Sequence, residues 1–390
     1  MRKVLLRIVF DSSWRLESVG NELHVGTGWM ISLLLLIITV ALAVMWRKTK
    51  DKGQVFAALC TWGLLPAALV VLPQLNLPIV ASGIPLFGYG LMLAVGFGTA
   101  TYMASRRAAT VGLSPDVIWD MTMWLLIPGI VGARIIYLLQ YGGRVFAGAK
   151  GFGILKAAIA LWDGGIVFYG GIIGGVLGLV IYCRRNNIRP LLMADIIMPS
   201  LFIGLGFGRI GCFLYGCCFG AACAAPWAVH FPDDSMTYES LFARSVQQGT
   251  PLLEANGVPF VAKDLRKRDD DGQPVVDPES TFTTIALHPA QIYSSTLAFL
   301  LAGLLIWYFK KRPFDGAVVV LGWILYPINR FVLEIIRDDE GGRLGTGLTF
   351  SQLMSIGLFV SGCLVMWWLH QRHASAIKSP ESKDATNTAA

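Results

Sequence analysis

Runs of about 20 consecutive apolar residues recur along most of this chain, and that is the length at which an α-helix crosses the hydrocarbon of a bilayer. Lipid offers the backbone no hydrogen-bond partners, so only helices and closed barrels are stable there. Segments of about ten residues with alternating polarity, the mark of a barrel, are absent. With 55% of its 390 residues hydrophobic and 15% charged, the chain is expected to be an all-α polytopic integral membrane protein. About nine spans are expected, at 28–46, 54–73, 84–104, 118–140, 164–183, 191–209, 289–309, 315–335 and 350–369. The first begins well inside the chain and runs into Arg47, Lys48, Lys50 and Lys52, unlike a cleaved signal peptide.

The formal net charge of +7 follows the loops rather than one basic face, so it does not point to nucleic acid. Alternate connections carry more of it: four basic residues in 47–53, two in 105–117, three in 184–190, three in 310–314 and three in the tail. The intervening connections hold none in 74–83, three in 141–163 and two in 336–349. By the positive-inside rule the C-terminus is cytoplasmic and, with nine spans, the N-terminus outside, although the N-terminal segment carries four basic residues of its own.

Five segments are expected: a two-span N-terminal extension (1–83), core helices with a glycine-rich motif (84–225), an extracytoplasmic insertion (226–287), further core helices (288–369) and a disordered cytoplasmic tail (370–390). No internal repeat is evident, which argues against an inverted-repeat transporter. From residue 84 onward glycine is dense inside the apolar runs, as at Gly164-Gly165, Gly170-Gly171 and Gly174-Gly175. Such residues let helices approach closely or let backbone approach a ligand, and composition does not decide between the two.

Three arginines, Arg134, Arg209 and Arg330, sit inside apolar stretches. A guanidinium cannot shed its charge and is costly at bilayer depth, so each requires something anionic or a water-filled cavity. The expected topology brings Tyr89, Arg134, Tyr137, Tyr169, Arg209, His288, Tyr293, Tyr326, Arg330 and Glu334 to the outer third of the membrane. Tyr326, Arg330, Glu334 and Arg337 fall on one helix face. Taken singly, the tyrosines read equally well as interface-belt residues. Arg209 lies in Gly206-Phe207-Gly208-Arg209-Ile210-Gly211, where exposed backbone and a planar fork suit a phosphate. At the level of the outer headgroups, the simplest phosphate is that of a phospholipid.

The run Gly208-Arg209-Ile210-Gly211-Cys212-Phe213-Leu214-Tyr215-Gly216-Cys217-Cys218-Phe219-Gly220 resembles the G-R-x-G-N-F-x-N-G-E-x-x-G signature of the prolipoprotein diacylglyceryl transferases. Other segments resemble the family in order: Tyr89-Gly90-Leu91-Met92, Gly132-Ala133-Arg134 with Tyr137, Tyr169-Gly170-Gly171-Ile172-Ile173-Gly174-Gly175, Pro226-Trp227 with Phe231-Pro232, His288-Pro289-Ala290-Gln291-Ile292-Tyr293, and Tyr326, Arg330 and Glu334. The resemblance covers roughly residues 84–369 as seven core helices. It implies a bacterial plasma-membrane enzyme whose partners are phosphatidylglycerol and secreted prolipoproteins bearing a lipobox cysteine. A second reading is a non-catalytic or differently specific phospholipid-binding relative. That reading rests on departures from the family pattern: Tyr169 stands where the family has His, Cys212, Tyr215 and Cys217 where it has Asn, Asn and Glu, and Ser294 where it has Glu.

The implied reaction is attack by a thiolate on the glycerol carbon bearing the phosphate, which leaves a thioether and releases glycerol phosphate. Arg209 and Arg330 would neutralise the leaving phosphate. Tyr89, Gly170, Gly171, Tyr326 and Arg134 complete the implied substrate-binding set, with Arg134 more a part of the framework. As base for the thiol, Tyr169 stands first by position, although a phenol titrates at about pH 10. His288 has the better intrinsic pKa, and Glu334 serves either as a base or to orient Arg330. No cofactor or metal is required. Cys212, Cys217, Cys218 and Cys223 form C-x4-C-C-x4-C on the expected oxidising face, which reads first as one or two disulfides. A metal site comes second, because the spacing lacks a zinc pattern, and a reactive thiol third.

Overall fold

The computed structural model describes residues 4–9, 16–19, 22–49, 84–147, 152–160, 164–233, 235–255, 257–261, 282–337 and 347–378. The expected span 54–73 and the end of the tail lie outside them. Near the N-terminus β1 (Val4–Val9), β2 (Leu16–Val19), β3 (Glu22–Gly26) and β4 (Ile84–Phe87) form a sheet in the order β2-β3-β1-β4. β1 runs parallel to β3 and antiparallel to β4. Between β3 and β4, α1 (Thr27–Thr49) covers the first expected span. β4 occupies the residues expected to open the third span, and α2 (Gly88–Ala109) begins only after Phe87.

The remaining helices are α3 (Asp116–Val145), α4 (Phe152–Ile159), α5 (Phe168–Arg185), α6 (Pro190–Tyr215), α7 (Met236–Gln248), α8 (Ala290–Phe309), α9 (Ala317–Ile336) and α10 (Phe350–Lys378). Among the described residues five are long and apolar enough to cross a membrane: α3, α6, α8, α9 and α10. Glycines and arginines dilute α2 and α5 below that apolarity.

The chain divides into two compact units, residues 1–94 with 208–292, and 95–207 with 293–390. In the second, α3 and α5 lie antiparallel with almost no side chain between them. Gly170, Gly174 and Gly178 recur every four residues along one stripe of α5. A Cβ at each would run into the carbonyl oxygen of Gly132, Pro128 and Trp124 respectively. Backbone therefore meets backbone, which maximises dispersion contact where lipid supplies no hydrophobic drive. Gly171, beside that stripe, is 3.7 Å from Gly129 O and 3.8 Å from Ala133 Cβ, measured from where its Cβ would be.

The same unit buries two charged groups that the sequence reading left aside. Asp195, fully buried on α6, accepts from the N–H groups of Gly316 (2.8 Å), Val318 (3.0 Å) and Val319 (2.8 Å) and so caps α9 from another helix. Arg107 was expected in a connecting loop; instead α2 extends to it. Its guanidinium donates to Ile196 O at 3.0 Å and to the Ser200 hydroxyl.

In the first unit, α7 packs with β5 (Leu253–Ala255), β6 (Val258–Phe260) and β7 (Phe282–Thr284) around Phe219, Phe231, Leu241, Leu253 and Leu287. Phe219 belongs to the glycine-rich motif and Leu287 precedes His288, so both motifs are built into this small core. Gly174→Ala is expected to lower the unfolding temperature of the purified protein through overpacking of about 1–3 kcal/mol, whereas Gly171→Ala leaves it unchanged. Thermal unfolding in detergent distinguishes the two.

Candidate active site

The three arginines differ in what holds them. Arg134, buried on α3, donates through Nε to Ala158 O (2.9 Å), through Nη2 to Ala157 O (2.8 Å), and through Nη1 to Gly164 O (2.7 Å) and Gly165 O (2.8 Å). The first two oxygens belong to the end of α4, where carbonyls lack helical partners and carry the negative end of the dipole. Gly164 and Gly165 adopt left-handed φ values of +80° and +81°, which turn their carbonyls toward the cation. A Cβ on Gly165 would strike the Tyr137 ring, which lies under the guanidinium at 5.2 Å. Arg134 thus has carbonyls for partners, and it fixes the loop leading into α5 and Tyr169.

Arg330 on α9 pairs with Glu334 one turn on and donates from Nη2 to Ser351 Oγ at 3.1 Å. Glu334 is almost fully buried and accepts from Thr349 Oγ1 at 3.2 Å. A buried carboxylate in an ion pair orients its cation. Tyr326, a turn before Arg330, packs against Phe202 in the apolar core, with ring centroids 6.2 Å apart and planes tilted by 56°. Tyr169 opens α5 half-exposed, and Gly170 and Gly171 follow in the helix contact already described.

Arg209 is different. It is half-buried near the end of α6, and among the described residues no hydrogen bond or ion pair engages its guanidinium. Cys212 lies one turn further along the same helix face. Tyr89 packs at Gly211, where a Cβ would come within 3.0 Å of its ring, and lies 6.4 Å from the ring of Tyr215.

After α6 the motif turns sharply. Gly216 (φ +71°) and Cys218 (φ +61°) are both left-handed. Gly216 has room for no side chain, since its Cβ would lie 2.7 Å from Cβ of Ser235, the residue that caps α7. Its carbonyl accepts from Thr237 N (2.9 Å) and Thr237 Oγ1 (3.0 Å). Cys217 N donates to Cys212 O at 3.0 Å, and Gln291 Nε2 donates to Cys217 O at 2.6 Å. Gln291 belongs to the His288–Tyr293 segment but was not singled out from sequence. His288 contributes backbone: its carbonyl accepts from Gly220 N at 3.0 Å and its N–H donates to Ala221 O at 2.9 Å.

This turn gathers the Sγ atoms of Cys212, Cys217 and Cys218 to within 4.8 Å of one another. No disulfide links the described cysteines. Cys223 stands outside the group, its Sγ accepting from Ala225 N at 3.3 Å. The Cys217 thiol is held far above the ordinary thiol range, first by hydrogen bonding with Cys212, then with Cys218, then by burial.

The fold is that of a multi-pass helical membrane protein. Residues 78–368 match the family prolipoprotein diacylglyceryl transferase. A phosphatidylglycerol–prolipoprotein diacylglyceryl transferase of Clostridium tetani is 31% identical over 283 residues, 73% of this chain and 93% of its own length. One from Clostridium perfringens is 30% identical over 283 residues, covering 73% and 91%. The Rhodopirellula baltica protein of that name is 28% identical over 430 residues, covering 88% and 85%. The chain belongs to the prolipoprotein diacylglyceryl transferase family.

Arg134→Lys is expected to lower the unfolding temperature clearly, because one ammonium cannot span four carbonyls and leaving buried acceptors unmet costs about 1–3 kcal/mol each. Arg209→Lys leaves it unchanged. Calorimetry of the two variants side by side checks the contrast.

Proposed function

We propose that this protein transfers the diacylglyceryl group of phosphatidylglycerol to the lipobox cysteine of secreted prolipoproteins, as the names of its relatives describe for them. It does so in a bacterial plasma membrane, through about nine spans, with the N-terminus outside, the C-terminus cytoplasmic and the 226–287 segment on the outer face. The observation that carries the reading is Arg209, a cation at the signature position whose donors the described residues leave unengaged. A phospholipid phosphate meets its planar fork through charge-assisted hydrogen bonds.

The substrate thiolate attacks the glycerol carbon. The carbon–oxygen bond breaks, and the electron pair leaves on a phosphate oxygen that Arg209 stabilises. Arg330, and Tyr169, His288 and Glu334, the three candidate bases, take the roles that the family pattern implies for their positions. A second reading, phospholipid binding without turnover, is favoured by the substitutions at Tyr169, Cys212, Tyr215, Cys217 and Ser294.

Purified protein, phosphatidylglycerol and a lipobox peptide separate the two. Thioether product seen by mass spectrometry supports transfer, and lipid binding without product supports the second reading. Arg209→Ala is expected to lower kcat/KM about 10²–10³-fold without unfolding the protein. An unchanged rate removes Arg209 from the phosphate site.

A further inference from the structure

Three sulfurs in one cluster are a chemical imbalance. A single disulfide would leave the third thiol over, and Cys223, the nearest candidate to complete a second pair, is held away at the Ala225 N–H. Cys217 and Cys218 are chain neighbours, and Cys218 takes a left-handed conformation (φ +61°) that L-residues adopt only at a cost. The strain persists because the turn is held from several sides, by Thr237 at Gly216, Gln291 at Cys217 and His288 at Gly220. At the edge of the turn Gln291, 1% exposed, keeps Oε1 without a hydrogen-bond partner among the described residues.

We propose that Cys212, Cys217 and Cys218 bind one zinc ion as thiolates, and that its fourth position takes the cysteine thiol of the incoming prolipoprotein. The second half rests on the transferase reading. Zinc–sulfur bonds of about 2.3 Å put tetrahedral sulfurs about 3.8 Å apart, so the cluster needs only a small contraction from its 4.8 Å limit. All three cysteines are half-buried rather than sealed in the core, which is compatible with a fourth ligand from outside the chain. Three protein ligands with one open position is the arrangement of catalytic rather than structural zinc.

Thiolates are soft ligands, and zinc brings no redox change on an oxidising face. Zinc with three thiolates carries one net negative charge, opposite in sign to Arg209 on the same helix face as Cys212. On binding, the substrate S–H loses its proton to water and its sulfur becomes a thiolate. That sulfur then forms the bond to the glycerol carbon while the carbon–oxygen bond to phosphate breaks and the phosphate leaves with the electron pair. The proton released at the first step balances the charge. The metal does the work of a general base, in a chain that carries Tyr169 where its relatives' pattern has histidine.

The test uses the full-length protein in detergent. Elemental analysis is expected to find one zinc per chain, lost in Cys212→Ser, Cys217→Ser and Cys218→Ser and kept in Cys223→Ser. With cobalt replacing zinc, sulfur-to-metal charge-transfer bands are expected, and a lipobox peptide shifts the visible bands where its serine analogue does not. Because a serine can unseat the turn, chelation of the unmutated protein is the parallel measure. Activity is expected to fall about a hundredfold or more, the size of a lost general base, and to return with zinc.

No stoichiometric zinc, or a disulfide among the three sulfurs in non-reduced peptides, overturns the site. Cobalt bands indifferent to the cysteine peptide overturn thiol activation. Lipidation by the zinc-free variants overturns the metal's role and leaves the transferase reading standing. Zinc and a peptide shift without any lipidated product do the reverse.

Discussion

The backbone contact between α3 and α5 is what the described membrane portion depends on most. In lipid, two apolar helices gain little by hiding hydrocarbon from hydrocarbon, so they hold together by close packing. Gly170, Gly174 and Gly178 remove every side chain from one stripe of α5 and let it rest on the carbonyls of Gly132, Pro128 and Trp124. Only at that distance does Val167 N reach Ala133 O at 3.1 Å, which sets where α5 begins. Arg134, one residue beyond Ala133, then reaches the loop carbonyls of Gly164 and Gly165 and the end of α4. Tyr169 inherits its position from this chain of contacts.

A guanidinium in an apolar helix poses the same problem each time, and the three solutions divide the labour. Arg134 is matched by dipoles, carbonyls that need donors anyway, and so is structural. Arg330 is matched by a full charge in Glu334, which fixes its direction while Ser351 accepts at another nitrogen. Arg209 has no hydrogen bond or ion pair among the described residues. An unmatched charge is tolerable near a helix end, where water and headgroups reach it, and that location is also where a lipid phosphate lies.

Much of this was legible in the sequence, and the gaps have identifiable causes. Apolar length marks helices in a membrane protein reliably, and five of the expected spans appear as helices of spanning length. The short N-terminal strands had no comparable signal, because pairing β1 with β4 depends on residues about 80 apart in the chain. Gly170 and Gly171 look equivalent as letters, yet a Cβ would run into backbone across the interface at Gly170 and only reach ordinary contact distance at Gly171. Asp195 is a single acid in an apolar run, and its partners are amide groups 121 to 124 residues on, which no local pattern reveals. Arg107 was assigned to a loop because helix ends are the least legible boundary.

The cysteines show most clearly where spacing fails as a guide. C-x4-C-C matches no zinc pattern written for regular hairpins or helices, because such patterns assume ordinary backbone between ligands. Here the last helical turn and two left-handed residues, Gly216 and Cys218, do the bringing together. The substitutions at the signature also make more sense jointly than singly. Replacing one amide and one carboxylate by thiols removes hydrogen-bonding groups that three neutral thiols cannot restore, since sulfur donates and accepts weakly. A cation shared among the three sulfurs would restore charge and rigidity in one step. The replacements at positions 169, 212 and 217 depart from the family pattern in a chain that keeps Arg209 at the signature position.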